Sequence, residues 1–180
     1  MRLSNLVVHA ARSVRVSGRL VRFAMVPLAV CILAGAAAAQ ERAVPLETRA
    51  RGAERVLVGR VASVNPAWQV NDFGDRLIVS VVRVTVDETL KGQTQQTVDV
   101  EVEGGTIGDL TLRVSDLTTF KPGERAVFYL TRSRRGTLVP YMRGQGLLKL
   151  DGASRVAGSN TTLGQIRSAA KSDAPANPQK

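Results

Sequence analysis

A chain of 180 residues, 44% hydrophobic and with a formal net charge of +10, has room for one ordinary domain. Residues 1–40 carry Arg2, Arg12, Arg15, Arg19 and Arg22 and no acidic residue, so half of the net charge belongs to that stretch. The remaining excess is scattered, which argues against nucleic acid as a partner, because phosphate-tracking surfaces cluster their Lys and Arg and interleave aromatics.

The arginine-bearing start runs into an apolar segment, Phe23 to Ala39, that ends in small residues ahead of Gln40 and Glu41. This is the grammar of a signal peptide over residues 1–40, with Ala37 and Ala39 as the small side chains before a cleavage point near Ala39 or Gln40. The expected location is therefore secreted or periplasmic. An uncleaved anchor is the alternative, since the segment is near the minimum length for crossing a bilayer, and it is the one membrane contact the sequence implies. Lipidation at Cys31 is disfavoured by Val30, which stands where a small residue is required. Cleavage removes Cys31 and His9, the single cysteine and the single histidine. Disulfides, thiol nucleophiles, His-based triads and ordinary zinc sites leave with them. No catalytic residue, metal site or cofactor is assigned.

Residues 41–52 are polar, include Pro45 and read as a linker. A β domain follows over 53–151. Val56 to Val64 is β-branched and short, with Gly59 as a bulge or a close backbone approach. Asn65 to Asp75 reads as a loop around Trp68. Arg76 to Glu88 is the clearest strand: Ile78, Val82, Val84 and Val86 share one face at period two, and the first half is apolar on both faces, which predicts a central position. After Lys91-Gly92, Val98, Val100 and Val102 alternate with Asp99, Glu101 and Glu103, so three carboxylates share one solvent face. Gly104-Gly105 breaks the run, and Leu110, Leu112 and Val114 resume it. Pro122-Gly123 sets a tight turn into Ala126 to Thr131. Arg132 to Gly136 is a basic hairpin loop, and Leu138 to Leu150 returns as a last strand interrupted at Pro140 and at Gly144-Gln145-Gly146. The fold class is all-β: a small antiparallel barrel or sandwich, OB-like, of about six strands. Within 152–171, Asn160-Thr161-Thr162 caps a short C-terminal helix bearing Leu163, Ile166, Ala169 and Ala170 on one stripe. Residues 172–180 are polar, with two prolines, and are expected to be disordered.

From Val56 to Leu150 the succession Val58-Gly59-x-Val61, a tryptophan, Glu88-x-Leu90-Lys91-Gly92, Glu103-Gly104-Gly105-x-Ile107-Gly108, Phe120-x-x-Gly123-Glu124 and Gly144-Gln145-Gly146 resembles an uncharacterised family of small exported bacterial all-β proteins. It also resembles, through a long second strand ending in Lys-Gly, the netrin-like module, the OB-type barrel of the tissue inhibitors of metalloproteinases. The cysteine-bearing wedge by which those inhibitors chelate a protease metal is missing, so their inhibitory chemistry is not implied.

Three groups of residues are candidate sites. Arg132, Arg134, Arg135 and Arg143 offer guanidinium groups to an anionic polymer. Trp68 and Tyr141, with Phe73 and Tyr129, are aromatics suited to contact a partner. Asp99, Glu101, Glu103 and Asp109 would serve a divalent cation or a carboxylate-pair hydrolase, against the reading that they form a solvated face. The glycine clusters lack the strand–loop–helix setting of a phosphate cradle. The resulting expectation is a non-catalytic module that binds an envelope or extracellular protein or an anionic polymer. A small hydrolase and a purely structural envelope protein stay open as alternatives.

Overall fold

A computed structural model describes residues 44–71 and 74–172. The leader with Cys31 and His9, the cleavage point, Phe73 and the tail from residue 173 lie outside them. The fold is mainly β. Helix α1 (Leu46–Gly52) precedes two long strands, β1 (Arg55–Val70) and β2 (Arg76–Lys91), then β3 (Thr97–Glu103). A small hairpin of β4 (Gly105–Ile107) and β5 (Leu110–Leu112) leads to β6 (Arg125–Arg132) and β7 (Leu138–Pro140). A 3₁₀ turn (Arg143–Gly146), β8 (Leu147–Lys149) and helix α2 (Leu163–Lys171) complete the chain.

Six strands form one sheet in the order β1-β2-β3-β7-β6-β8, and an additional β1–β6 pairing turns the hydrogen-bonded neighbours into a ring. The pairs are antiparallel except β3–β7, which is parallel and consists of the single match Val100↔Leu138. The sheet is therefore mixed, where the sequence pattern predicts an antiparallel one. Alternation along a strand reveals which face is buried but not the direction of the neighbour.

Apolar packing occurs on both sides of this sheet. Leu57, Val61, Val82, Val84, Val98, Val100, Phe128 and Leu130 pack inside the ring with Phe120. Val56, Val58, Val127 and Tyr129 point outward and are covered by Ala50 of α1 and by Leu163, Ile166 and Ala170 of α2. The start of β1, Arg55 to Gly59, and the middle of β6 are thus buried on both faces, which accounts for the unbroken apolar run from Ala126 to Leu130. Helix α2 reaches the end of β2, where Leu90 joins this outer core and Arg167 holds Glu88 at 2.7 Å; among the described residues no helix covers the outer face of β3 or of β2 from Leu77 to Arg83.

Several expectations need correction. Residues 65–70 are not loop: β1 continues through Val70, with Trp68 opposite Ile78 on β2. Leu110 and Leu112 belong to the separate β4–β5 hairpin, where Leu110 is 61% exposed. Leu46 to Gly52 is helix, not linker. The interrupted last strand is present as β7 and β8, which share one edge of β6. The Pro122-Gly123 turn closes with the Glu124 N–H donating to Lys121 O at 3.2 Å, Gly123 taking φ +89°.

Candidate functional site

The outer face of β2 and β3 forms a trough whose floor is apolar. Residues of β2 alternate, so with Ile78, Ser80, Val82 and Val84 turned inward, Leu77, Val79 and Val81 face out. They line two neighbouring hollows of about 60 Å³ and about 420 Å³. The smaller lies among Gln69, Val70, Leu77, Val79, Glu103 and Arg135, and the larger among Arg55, Val81, Gln95, Asp99, Arg132 and Thr137; Glu101 borders both.

Arginines from three different elements meet the carboxylate row of β3. Arg83 of β2 holds Asp99 with two bonds of 2.8 Å. Arg135, from the β6–β7 hairpin, donates to Glu101 at 3.2 Å and to the backbone oxygen of Val70 at 3.4 Å, so its side chain reaches from the hairpin to the end of β1. Glu101 also accepts from the Thr137 hydroxyl at 3.0 Å. Arg143, in the 3₁₀ turn, reaches Glu103 at 3.4 Å and Asp116 at 3.1 Å. The bond from Arg83 holds the Asp99 carboxyl below the usual carboxylate range, and that from Arg143 does the same to Asp116.

Of the arginines singled out from sequence, Arg132 and Arg135 border the trough, and Arg143 stands at its far end through Glu103. Arg134 is exposed at the hairpin tip and makes no ion pair among the described residues. Trp68 lies on the other face of the β1–β2 ribbon, 40% exposed, with the Arg76 guanidinium 4.6 Å from its ring centroid. Tyr141 is half-buried against the outer core, so close to Gly52 that a Cβ there would meet its hydroxyl at 2.0 Å. The six residues do not converge. Asp109 lies beside Leu110, away from the row formed by Asp99, Glu101 and Glu103.

Sequence reasoning missed Leu77, Val79 and Val81 as floor, and Arg55 and Gln95 as wall. The signal was present in the two-sided apolarity at the start of β2, which fits an uncovered trough as well as a central strand. Among the described residues no group of three or more His, Cys, Asp or Glu is placed to hold a metal ion, and no helix is long and apolar enough to cross a membrane. No protein-family model matches the chain, and no match is found among curated proteins.

Proposed function

We propose that the mature chain is a non-catalytic binding module of OB type, exported to the periplasm or beyond, that takes an envelope or extracellular partner on the outer face of β2 and β3. One observation carries this reading: the half-buried Leu77 and Val81 and the buried Val79 form the apolar floor of two recesses on the outer side of β2, away from the Glu88–Leu90 end that α2 packs against. Apolar residues in a recess rimmed by charge are the usual composition of a recognition surface.

The ring order supports the OB-type reading. Antiparallel β1–β2–β3, a parallel β3–β7 contact and the β1–β6 pairing follow the strand order expected of a five-stranded OB-type barrel, on the reading that β6 and β7 act as its fourth and fifth strands. In such barrels the face of strands two and three, flanked by the first–second and fourth–fifth loops, is the habitual ligand surface. Here the described residues at those places are Asn71, Gly74 and Asp75 between β1 and β2, and the hairpin 133–137. Fold likeness by itself assigns no activity. The ion pair of Asp99 favours binding over hydrolysis, because the bond from Arg83 holds that carboxyl below its ordinary range and makes it a poor proton donor.

The test compares partner recovery from an envelope and extracellular fraction by wild-type chain, Val81→Lys, and Trp68→Ala. A charge placed on the floor abolishes recovery of a partner that Trp68→Ala still retains. Equal recovery by Val81→Lys and wild type would remove the trough as the binding face.

A further inference from the structure

Arg55 opens β1 with 3% of its surface exposed. Its Nη1 donates to Gln95 Oε1 at 2.9 Å and its Nη2 to the backbone oxygen of Gln93 at 2.6 Å, while its buried Nε–H has no partner among the described residues. Both partners are neutral. Buried guanidinium groups are ordinarily matched by a carboxylate, because removing the charge from water is otherwise uncompensated. The neighbouring Glu54 is taken by Arg132, Nε to Oε1 at 3.0 Å. Burial pulls the Arg55 guanidinium below its ordinary value, Arg132 lowers it further, and Glu54 only opposes them.

Arg55 and Arg132 line the hollow of about 420 Å³ together with Gln95, Asp99 and Glu101. The two carboxylates there are already engaged, Asp99 by Arg83 and Glu101 by Arg135 and Thr137. What the hollow lacks is therefore a negative charge for Arg55. Its border has a second property. Strand β3 meets β7 at the single match Val100↔Leu138, and among the described residues no other strand pairs with the rest of that edge. An unpaired edge accepts an extended backbone, and main-chain bonding of that kind favours a peptide over a polysaccharide.

We infer that this hollow receives an Asp or Glu side chain from an extended acidic segment of a partner protein, its carboxylate facing Arg55, with Arg132, which Glu54 already pairs, adding positive charge at the rim, and its backbone running beside β3. The inference rests on the trough being the binding face and adds the chemistry of what enters it. Charge-assisted N–H···O bonds to the ligand carboxylate supply the counter-charge that the fold omits. Salt dependence follows, because Arg132 is half exposed.

Isothermal titration calorimetry of the purified chain with poly-L-glutamate tests this, with alginate at matched carboxylate concentration and neutral dextran as the other arms. Two variants report on the site. Gln95→Glu gives Arg55 a counter-ion within the chain and leaves its packing in place, and Arg132→Gln removes a half-exposed cation, so neither depends on tolerating loss of the buried Arg55. Poly-L-glutamate is expected to bind, dextran not to, and each variant to bind about tenfold more weakly at low salt with an unchanged circular dichroism spectrum. Unchanged affinity in both variants, or no binding of poly-L-glutamate, would overturn the inference. Tighter binding of alginate that both variants weaken would replace the acidic peptide by a uronate polymer. If these fail while Val81→Lys still loses its partner, the trough stands and only the carboxylate goes; failure of both experiments removes the trough as well.

Discussion

Tyr129 is wholly buried on the outer side of β6, and its hydroxyl has no hydrogen-bond partner among the described residues. Burial pushes its pKa up to about 12, with Arg49 partly opposing. An unsatisfied buried hydroxyl costs about 1–3 kcal/mol, so Tyr129→Phe is expected to leave stability unchanged or raise it by about 1 kcal/mol in urea unfolding. The sign of the pH effect follows from linkage: the folded state keeps the phenol proton longer than the unfolded chain. Stability from this group is complete below about pH 10 and is lost as pH rises through about 12, and the Phe variant lacks that decline. Gly59 shows the opposite kind of constraint. A Cβ there would stand 2.5 Å from Val84 Cγ1 and 2.6 Å from the Thr85 carbonyl oxygen, at a point where the β1–β2 register shifts. Gly59→Ala should therefore lower stability by about 1–3 kcal/mol, measured by chemical denaturation. That glycine was legible in the sequence as a bulge or close approach, because nothing else interrupts a β-branched run so briefly. The buried Arg55 was not, since no pattern in a single sequence says that an arginine at a strand start goes inward.

Helix α2 was legible because its start signal is local. Thr162 accepts from the Gln165 N–H while the Gln165 side chain accepts from the Thr162 N–H, a full capping box. Thr162→Ala is expected to cost about 1 kcal/mol in thermal or urea unfolding. Helix α1 escaped notice because it has no such signal: its N-cap is Pro45, without a side-chain bond, and its seven residues depend on burial of Arg49 and Ala50. Tertiary packing, not propensity, makes it helical. The distal half of β1 failed for a related reason. Asn65, Pro66 and Asn71 carry loop chemistry, yet pairing with β2 overrides it. Pro66 is tolerated there because the other edge of β1 pairs with β6 only through Arg60, so a missing N–H on that side breaks no ladder. The carboxylate row of β3 was read correctly as outward. Its partners came from the hairpin and the 3₁₀ turn, distant in sequence, and only the folded chain reveals that Glu101 and Glu103 hold those elements beside the one-residue β3–β7 contact.

At the scale of the molecule, one sheet separates two cores, and both must unfold together because β1 and β6 belong to each. Carboxylates add a pH limit to that stability. Arg83 depresses Asp99 and Arg143 depresses Asp116; for Glu124, burial pushes upward but the bond from Lys149 and the Lys121 N–H carry it below its ordinary value. Stability from these groups is present above about pH 4 and is lost as pH falls through the lower folded-state values, so acid titration of circular dichroism should show a midpoint that moves upward in Asp99→Asn. Among the described residues, helices cover β6, the start of β1 and the Glu88–Leu90 end of β2 and leave β3 and the first half of β2 open, and the proposed binding face lies in that open part. The most direct test of that face is a backbone amide NMR titration of the purified chain with poly-L-glutamate. Perturbations gathered at Val81, Gln95, Asp99 and Thr137 are the predicted result. Perturbations centred on Trp68 and Arg76, with the trough silent, would contradict it.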